Sequence, residues 1–495
     1  MTTKVNNRMI DGAPVNVLDF GAVGDGVTDD TDALIAALAA GTTVEFGQNK
    51  TYLIRTGANI LTPNSNTVLN FNGSTVKAMP SNLDSYHMFA LEEVENITFN
   101  NGFIEGERDE HTGTTGEQGF CIAIRGAKDV VFNSMSLSKS WGDNIYIGIG
   151  PTVKYASNIT MNACVLDRAR RNGLSVVSVD GLAMNSCTIS NTAGTAPEFG
   201  IDFEPNNNDE RLRNISITNL RTVNNANSAV GFAIDKLDGG STPVSISIDN
   251  YQDYGSLFAL GFNLALNTKG YIKIRNVLAD SQIKNSITFK NWEVTAPQVD
   301  IDGVTSTVNH SRTTDIIGDT PVSFQMPNGN IGGNINIKNV EQYFTSGQSG
   351  TGYNVAFDGS TEFRTLSLDG IEGQILNQQA LSEGSKIIDD EFLGVTNVLD
   401  FPFVTQKFVN LKNTTAYGNT QLQLQAFRDT DTVYQMTCVS ETGSDALTIN
   451  PPGGESLYPL GIDDLDSGKI TLNELGKSIL IKRQGGRWVV TSKNY

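Results

Sequence analysis

The sequence predicts an all-β protein whose central part is a β-helix, a solenoid in which short strands stack coil upon coil. Two short phrases recur through its middle, and the 49 glycines suit tight turns between many short strands. A chain of 495 residues is also too long for one ordinary compact core, so several domains or a repeat architecture are expected. Recurrence of strand patterns at a spacing of about 30 residues favours the repeat architecture.

The first phrase is a glycine or asparagine followed by residues that alternate between apolar and variable. Its copies begin at Gly119, Asn144, Gly173, Gly200, Gly231 and Gly261. Strict alternation predicts strands with one buried face, and stacking in register turns the variable positions into two outward columns. The columns read Cys121, Tyr146, Ser175, Asp202, Ala233 and Asn263, and then Ala123, Gly148, Val177, Glu204, Asp235 and Ala265. Three carboxylates, those of Asp202, Glu204 and Asp235, are therefore expected together on the outer surface.

The second phrase is apolar-variable-apolar, followed closely by asparagine or glycine. Its copies begin at Ile97, Val130, Ile159, Leu182, Ile215, Ile246 and Ile272, and later at Ile287, Val299, Ile335 and Leu366. One column of asparagines follows the early copies, and a second column lies one position farther along. These columns are Asn100, Asn133, Asn162 and Asn185, and then Asn219, Asn250 and Asn276. We interpret both as structural corner residues that supply a left-handed backbone conformation.

The ends of the chain differ from the repeats. Residues 1–16 read as a linker or as the cut edge of a missing N-terminal domain. A helix near residues 30–40, with acidic residues in its first turn and Gly41 as its stop, is expected to cap a solenoid over residues 17–385. Over residues 390–495 alternating segments separated by turn residues predict an antiparallel β-sandwich for trimerisation or glycan binding.

The composition of the chain argues against several classes of binding partner. The formal charge of −19 argues against nucleic acid and anionic membrane surfaces, and no apolar run reaches membrane-spanning length. The sequence predicts no metal site and no cofactor. The cysteines have no metal-ligand spacing and are interpreted as reduced core thiols, while the three histidines are scattered. These residues are Cys121, Cys164, Cys187 and Cys438, and His87, His111 and His310.

The clustered carboxylates predict acid–base chemistry. Asp202 and Glu204 share a face about 6.6 Å apart along one strand, and Glu204 and Asp235 are expected about 4.8 Å apart on neighbouring coils. Such proximity keeps one carboxyl protonated near neutrality, and glycoside hydrolysis needs one acid and one carboxylate. We assign Glu204 as general acid and Asp202 as its partner, with Asp235 tuning or replacing it. The structural alternative is a solvated acidic face.

Four neighbours are candidate substrate-binding residues. Trp141 is either an aromatic platform for a sugar or a corner residue, and Asp143 adds a carboxylate to the groove. Arg171 can hold a sugar carboxylate, neutralise the acidic cluster or form a surface ion pair. Tyr146 lies in the same outward column as Asp202.

Two motifs resemble a known family. The opening Asp19-Phe20-Gly21-Ala22-Val23-Gly24-Asp25-Gly26 and the following Asp29-Asp30-Thr31 resemble the start of pectate-lyase-like right-handed parallel β-helices, in particular bacteriophage tailspikes. Gly200-Ile201-Asp202-Phe203-Glu204-Pro205 is similar to a stretch of tailspike depolymerases, and Gly485–Val490 looks like the end of phage tail β-domains. The Gly-His-Gly and Arg-Ile-Lys of polygalacturonases are absent from the sequence.

The resemblance implies a right-handed parallel β-helix that forms a homotrimer in the virion tail. It further implies attachment to the phage tail or baseplate through an N-terminal part, and endo-cleavage of bacterial capsular or O-antigen polysaccharide. Two other functions stay open at this point. One is a polysaccharide lyase that eliminates at an acidic sugar, for which Arg171, Lys236 and Tyr146 are available. The other is an adhesin that binds glycan without cutting it.

Overall fold

The computed structural model describes residues 13–282, 284–308, 320–327 and 330–344, and then separate strands as far as residue 494. The chain forms two compact units. The first is Met1–Lys273 with Asp280–Gln282, and the second is Ile274–Ala279 with Ile283–Tyr495. The predicted all-β parallel solenoid is confirmed.

The strands of the first unit belong to two parallel sheets. The first sheet contains Val15–Asn16, Asp25–Asp29, Thr43–Glu45, Thr51–Ile54, Val68–Asn70, Thr75–Ala78, Glu95–Glu105, Lys128–Ser138, Ala156–Asn162, Val165–Asp167, Val179–Asn185, Thr188–Ser190, Leu212–Val223, Val244–Tyr254 and Gly270–Gln282, whose residues are divided between the units. The second sheet contains Ser85–Glu92, Gln118–Arg125, Ile145–Gly148, Leu174–Val176, Ile201–Phe203, Ser228–Ala233 and Phe258–Leu264. The second sheet is built from the first phrase of the sequence.

The second phrase sets the register of the first sheet. Ile97 pairs with Val130, and the same column continues through Ile159, Leu182, Ile215 and Ile246. All six side chains are buried. Each coil thus buries its copy of the phrase against the copy before it, as the sequence predicts.

The first asparagine column forms a hydrogen-bonded ladder. We define the asparagine ladder as Asn70, Asn100, Asn133, Asn162 and Asn185. In each later coil the side-chain amide Nδ2 donates to the Oδ1 of the preceding asparagine at 2.9–3.0 Å. The left-handed backbone conformation occurs one residue farther on, at Asn101, Ser134, Ala163 and Ser186, and in later coils at Asn219, Asn250 and Asn276. The corner prediction is therefore confirmed for the second column and wrong for the first, which instead pairs its amides.

Aromatic side chains line the interior on the side of the second sheet. The rings of Phe203, Phe232 and Phe262 stack with centroids 5.1 and 4.9 Å apart. Such pairs add about 0.5–1.5 kcal/mol each beyond burial of their area. The strand Ile201–Phe203, which carries Asp202 between two buried residues, is therefore anchored from inside.

The cap helix is confirmed as Thr31–Ala40, with Asp32 in its first turn and Gly41 at its end. A 3-10 turn, Val17–Phe20, precedes it. The acidic opening motif makes turns instead of a metal loop. Asp30 accepts from the backbone N–H groups of Val23 and Gly24 at 2.6 and 3.0 Å.

The second unit repeats the parallel pattern. Its strands, as far as the predicted end of the solenoid, are Ile287–Lys290, Gln298–Val308, Val322–Gln325, Ile331–Phe344, Tyr353–Phe357, Glu362–Ile371, Gln374–Leu376 and Lys386–Ile388. Val299 pairs with Ile335 and Ile335 with Leu366, as the second phrase predicts. Ile287 belongs to the other sheet.

Residues 390–495 are described only as strands. They are Phe392–Leu393, Leu399–Phe401, Val409–Lys412, Thr420–Leu424, Val433–Cys438, Leu447–Asn450, Leu457–Pro459, Ile470–Leu472, Ser478–Gln484 and Arg487–Asn494. Their pairings are of both kinds, parallel for Val409–Lys412 with Val433–Cys438 and antiparallel for Ser478–Gln484 with Arg487–Asn494. The connections and side chains of the predicted sandwich lie outside the described residues, as do His310 and the side chain of Cys438.

Candidate functional site

Three neighbouring strands of the second sheet bring the site together. Tyr146 pairs with Ser175, and Ser175 with Asp202, which confirms this part of the predicted outward column. The chain directly before two of these strands supplies further polar residues, Asp143 before one and Arg171 and Asn172 before the next. The parallel stacking places these residues on successive coils of one face.

A buried hydrogen-bond network joins the coils. The Asp143 carboxylate accepts from the Ser175 hydroxyl at 2.7 Å and from the Asn172 backbone N–H at 3.0 Å. The Asn172 Nδ2 donates to Asp202 Oδ2 at 2.9 Å, and its Oδ1 accepts from the Phe199 N–H at 3.0 Å. Asn172 therefore fixes the orientation of Asp202 from the preceding coil.

Arg171 is the cation at the centre of this cluster. Its Nη1 lies 3.3 Å from Asp143 Oδ2, its Nη2 3.3 Å from Glu204 Oε2, and its Nε 3.7 Å from Glu117 Oε2. Burial lowers the pKa of Arg171, but the surrounding carboxylates outweigh this and raise the pKa overall. The guanidinium therefore neutralises the acidic cluster, one of the alternatives that the sequence left open.

Asp202 and Glu204 occupy different environments despite sharing a strand end. The Asp202 residue is 1% exposed, whereas the Glu204 side chain is 43% exposed. Burial first, and then the charge of Glu204, raise the pKa of Asp202 well above its usual range. Its Oδ1 is buried and meets no hydrogen-bond donor of the protein, while a side-chain hydrogen bond with the Glu204 carboxyl adds to the rise in the pKa of Asp202. A buried carboxyl group with a raised pKa thus lies beside the solvent-facing side chain of Glu204.

Asp143 is a second carboxyl with an altered proton affinity. Burial raises its pKa to about 6, while Arg171, Ser175 and the Asn172 N–H act in the opposite direction. Ionised Asp143 is thus retained near neutrality by its three partners. Asp143 is fully buried, so its carboxyl group supports the site and does not face the solvent.

A pocket of about 170 Å³ opens beside these groups. It is lined by Glu117, Gln118, Phe120, Tyr146, Arg171, Ser175, Val177, Glu204 and Asn206. The ring of Tyr146 stacks on Phe120 at 5.2 Å between centroids. The pocket therefore has an aromatic side and the Glu204 side chain in its wall. The buried carboxyl group of Asp202, whose pKa is raised, lies next to Glu204.

Trp141 is not an open platform. Its residue is 9% exposed, its ring lies 3.7 Å from the ring of His111, and the Arg170 guanidinium lies 3.8 Å from its centroid. Its indole N–H donates to the Thr115 carbonyl oxygen at 3.0 Å. The corner alternative is therefore the one that the structure bears out.

The predicted pairing of Glu204 with Asp235 is wrong. Asp202 pairs with Gly231, so the next coil is shifted by two residues from the predicted register. The strand ends at Ala233, before Asp235, whose carboxylate lies 2.7 Å from Lys236 Nζ. The prediction that Asp202 lies on the outer surface is also wrong, because Asp202 is buried.

The sequence analysis missed Asn172 and Glu117. Asn172 and Asp143 both directly precede a copy of the first phrase, where Phe199 is apolar before the next copy. A polar residue at a repeat position that is apolar in another coil is the signal in the sequence that could have identified Asn172. Glu117 comes from residues 106–117, outside any repeat, and no signal pointed to it.

Among the described residues, no group of three or more His, Cys, Asp or Glu side chains is arranged to hold a metal ion. Cys121, Cys164 and Cys187 are free, buried thiols. The described helix is too short to cross a membrane.

Comparison with known proteins places the fold. No protein-family model matches the chain. It is 32% identical over 249 residues to the uncharacterized protein YclG of Bacillus subtilis, covering 44% of this chain and 43% of YclG. It is 26% identical over 235 residues to the SPbeta prophage-derived uncharacterized protein YorA of the same organism, covering 43% and 38%. The chain spans about two fifths of the length of these relatives.

Two solved structures share the architecture. The Dettilon tailspike protein superposes with a TM-score of 0.52 at 15% identity, covering 76% of this chain and 68% of the tailspike. The chain shares the parallel β-helix fold of this tailspike. The A-module of the mannuronan C-5 epimerase AlgE4 of Azotobacter vinelandii superposes with a TM-score of 0.51 at 16% identity, covering 76% and 96%. The parallel β-helix fold, which the resemblance of the opening motif to tailspikes implied, is thereby confirmed.

Proposed function

We propose that this chain is a phage tailspike depolymerase that binds bacterial capsular or O-antigen polysaccharide and cleaves it internally by glycoside hydrolysis. The observation that carries the proposal is the carboxyl pair at the pocket. Asp202 is buried with a raised pKa and an unpartnered oxygen, and Glu204 beside it faces the pocket. Pairs of carboxyl groups with opposite protonation are what glycoside hydrolysis requires.

In the proposed mechanism Asp202 holds a proton near neutrality and shares it with Glu204. Glu204 transfers this proton to the glycosidic oxygen as the bond to the anomeric carbon breaks. Water adds its hydroxyl group to the anomeric carbon, and its remaining proton returns to the carboxyl pair. Arg171 holds Glu204 in place, and Asn172 holds Asp202.

The contacts of the local cations favour hydrolysis over elimination. A lyase needs a cation beside the carboxylate of an acidic sugar. Arg171 faces three carboxylates of the protein, and Lys236 lies 2.7 Å from Asp235. Both cations assigned to the lyase alternative therefore already have acidic partners.

The remaining organisation follows the same proposal. Residues 17–385 form the catalytic β-helix, residues 390–495 a sandwich for trimerisation or glycan binding, and residues 1–16 a linker or the edge of a further N-terminal segment. The protein acts as a homotrimer in the virion tail, attached to the tail or baseplate through an N-terminal part. The likeness in fold to the Dettilon tailspike supports this placement.

Size-exclusion chromatography of a panel of bacterial polysaccharides tests the proposal. We expect one polymer to collapse to short oligosaccharides with the wild type, and Glu204→Gln to slow this about 10²- to 10⁴-fold, the usual contribution of a general acid. The matched control is Glu95→Gln, because Glu95 is similarly exposed at 54%, is ion-paired with Lys128 and lies on the other sheet.

Four outcomes decide whether the proposal stands. Loss of cleavage by Glu204→Gln with retention by Glu95→Gln and unchanged circular dichroism supports the proposal. Equal cleavage by both variants places the chemistry elsewhere and contradicts it. A polymer that is bound but keeps its size after long incubation identifies an adhesin, and ultraviolet absorbance from a new double bond identifies a lyase.

A further inference from the structure

The charge around the pocket is unbalanced. Glu117 and Glu204 line it, Asp143 and Asp202 lie buried behind it, and Arg171 is the only cation among its lining residues. Even with Asp202 protonated, three carboxylates face one guanidinium. A ligand entering this pocket therefore meets a negative potential.

Each nitrogen of the Arg171 guanidinium faces the carboxylate of an acidic residue. Nη1 faces Asp143, Nη2 faces Glu204, and Nε faces Glu117, at 3.3, 3.3 and 3.7 Å. Nη1 also donates to the Ser175 hydroxyl at 3.4 Å. A sugar carboxylate that approached Arg171 would stand beside these three acidic side chains in the same small space. Arg171 therefore offers a uronic acid a cation whose charge the protein's own carboxylates already offset.

The other lining groups suit an uncharged sugar. Gln118 and Asn206 offer amide groups, and Tyr146 with Phe120 offers an aromatic side. Amides and hydroxyls pair with sugar hydroxyl and N-acetyl groups without a charge, and aromatic side chains cover the apolar face of a pyranose.

We infer that the pocket accepts a sugar without a carboxylate, either a neutral hexose or an N-acetylated hexosamine, at the point where the polymer is cut. This inference rests on the proposed function and names its substrate class. A polymer that carries acidic sugars elsewhere in its repeat is still a substrate, provided that the sugar in the pocket is uncharged. Glu117, which lies at the open rim, is then a specificity-determining residue and not part of the proton transfer.

The first experiment identifies the sugar at the cut. The oligosaccharides released from the cleaved polymer are labelled at their new reducing end and sequenced by mass spectrometry. We expect a neutral or N-acetylated residue at that end, and a uronic acid there overturns the inference while leaving depolymerisation intact. If no polymer of the panel is cut or bound, the proposed function fails, and the inference fails with it.

The second experiment changes only the charge of the substrate. The same polymer is oxidised at its primary hydroxyl groups to introduce carboxylates, and cleavage of both forms is compared. Carboxylates brought beside Glu204 and Glu117 are expected to lower kcat/KM roughly 10- to 100-fold for the wild type. Equal or faster cleavage of the oxidised polymer overturns the inference.

Glu117→Gln supplies the matched protein variant. Its side chain is 58% exposed, so removing its charge is expected to restore about two- to fivefold of the lost kcat/KM for the oxidised polymer, with less effect at high salt. The restoration is expressed relative to cleavage of the unoxidised polymer by the same variant, so any general effect of the substitution on activity cancels. Glu95→Gln has the same charge change on the other sheet and restores nothing. Equal restoration by both variants means that the net charge of the protein, and not the pocket, sets the preference, and this contradicts the inference.

Discussion

The asparagine ladder and the buried hydrogen-bond network beside the pocket, here called the pocket network, are two rows of polar side chains that cross successive coils. They differ in whether every buried polar atom has a hydrogen-bond partner. In the ladder each amide after Asn70 donates to the asparagine of the preceding coil at nearly constant distance, and only the amide of Asn70 donates to a carboxyl group, that of Glu45. In the pocket network Asp143, Asn172, Ser175 and Asp202 also bond from coil to coil, but the buried Oδ1 of Asp202 meets no hydrogen-bond donor.

This difference distinguishes a polar row that only stabilises the stacking of the coils from one that holds reactive groups. A repeated ladder of neutral amides satisfies its own groups, so it contributes to stacking without storing a reactive group. The pocket network brings carboxyls out of water, and burial then raises the pKa of Asp143 and Asp202. The network therefore carries a cost in stability that the ladder does not, as is common for sites that hold perturbed carboxyls.

The largest expected effect comes from removing the Asn172 side-chain amide, which bonds Asp202 to the preceding coil. Asn172→Ala leaves the Phe199 N–H and Asp202 Oδ2 without their partners, both in a buried setting. We expect the free energy of unfolding to fall by about 2–6 kcal/mol, because each of these two unpaired buried groups costs about 1–3 kcal/mol. Urea titration measures the loss, and polymer cleavage by the fraction that remains folded is expected to fall as well.

The outcome that would contradict this comparison is a variant that loses stability but cleaves normally once folded. Asn172 would then be only another structural asparagine. Assays at a temperature where both proteins are fully folded, as judged by circular dichroism, keep the two effects apart.

A second prediction concerns pH. Asp143 has a folded pKa of about 6 against an ordinary value of 3.8, so the folded state binds its proton more tightly than the unfolded state does. Its contribution to stability is therefore greatest at low pH and is lost as the pH rises from about 4 to about 6. Two pKa units correspond to about 3 kcal/mol.

Asp143→Asn removes this titration. We expect the variant to gain about 3 kcal/mol relative to the wild type between pH 4 and pH 7, when the free energies of unfolding are measured in urea at each pH. Distant carboxyls titrate equally in both proteins and cancel, so the difference between the two curves reports Asp143 together with its effect on the neighbouring Asp202. A constant offset across this range would show that Asp143 is not the titrating group.

The repeats explain how far the sequence analysis could go. Apolar residues such as Ile97, Val130 and Ile159 pack in the interior, and their recurrence alone gave the register of the first sheet. The same reasoning correctly placed Ser175 beside Asp202. It failed at the next coil because a slip of two residues keeps every side chain on its own face, so an alternating pattern cannot detect it. Asp235 was misplaced by such a slip.

Burial of the site could not be read from the repeats. Trp141 is covered by His111 and Thr115 from residues 106–117, which follow no period. Glu117 beside Arg171 comes from the same segment. Asp202 is bonded by Asn172 of the preceding coil, a residue outside the alternating positions. The alternation therefore could not show that Asp202 is buried while Glu204 is exposed.

The smallest expected effect is in the ladder itself. Asn133→Ala removes one hydrogen bond to Asn100 and one from Asn162, and all three side chains are only partly buried, so water can replace the lost partners. We expect a loss of about 1–2 kcal/mol in the free energy of unfolding and no change in polymer cleavage. A change in cleavage without Asn133 touching the pocket would mean that the ladder and the pocket network act as one unit, and the distinction between structural and chemical polar rows would no longer hold.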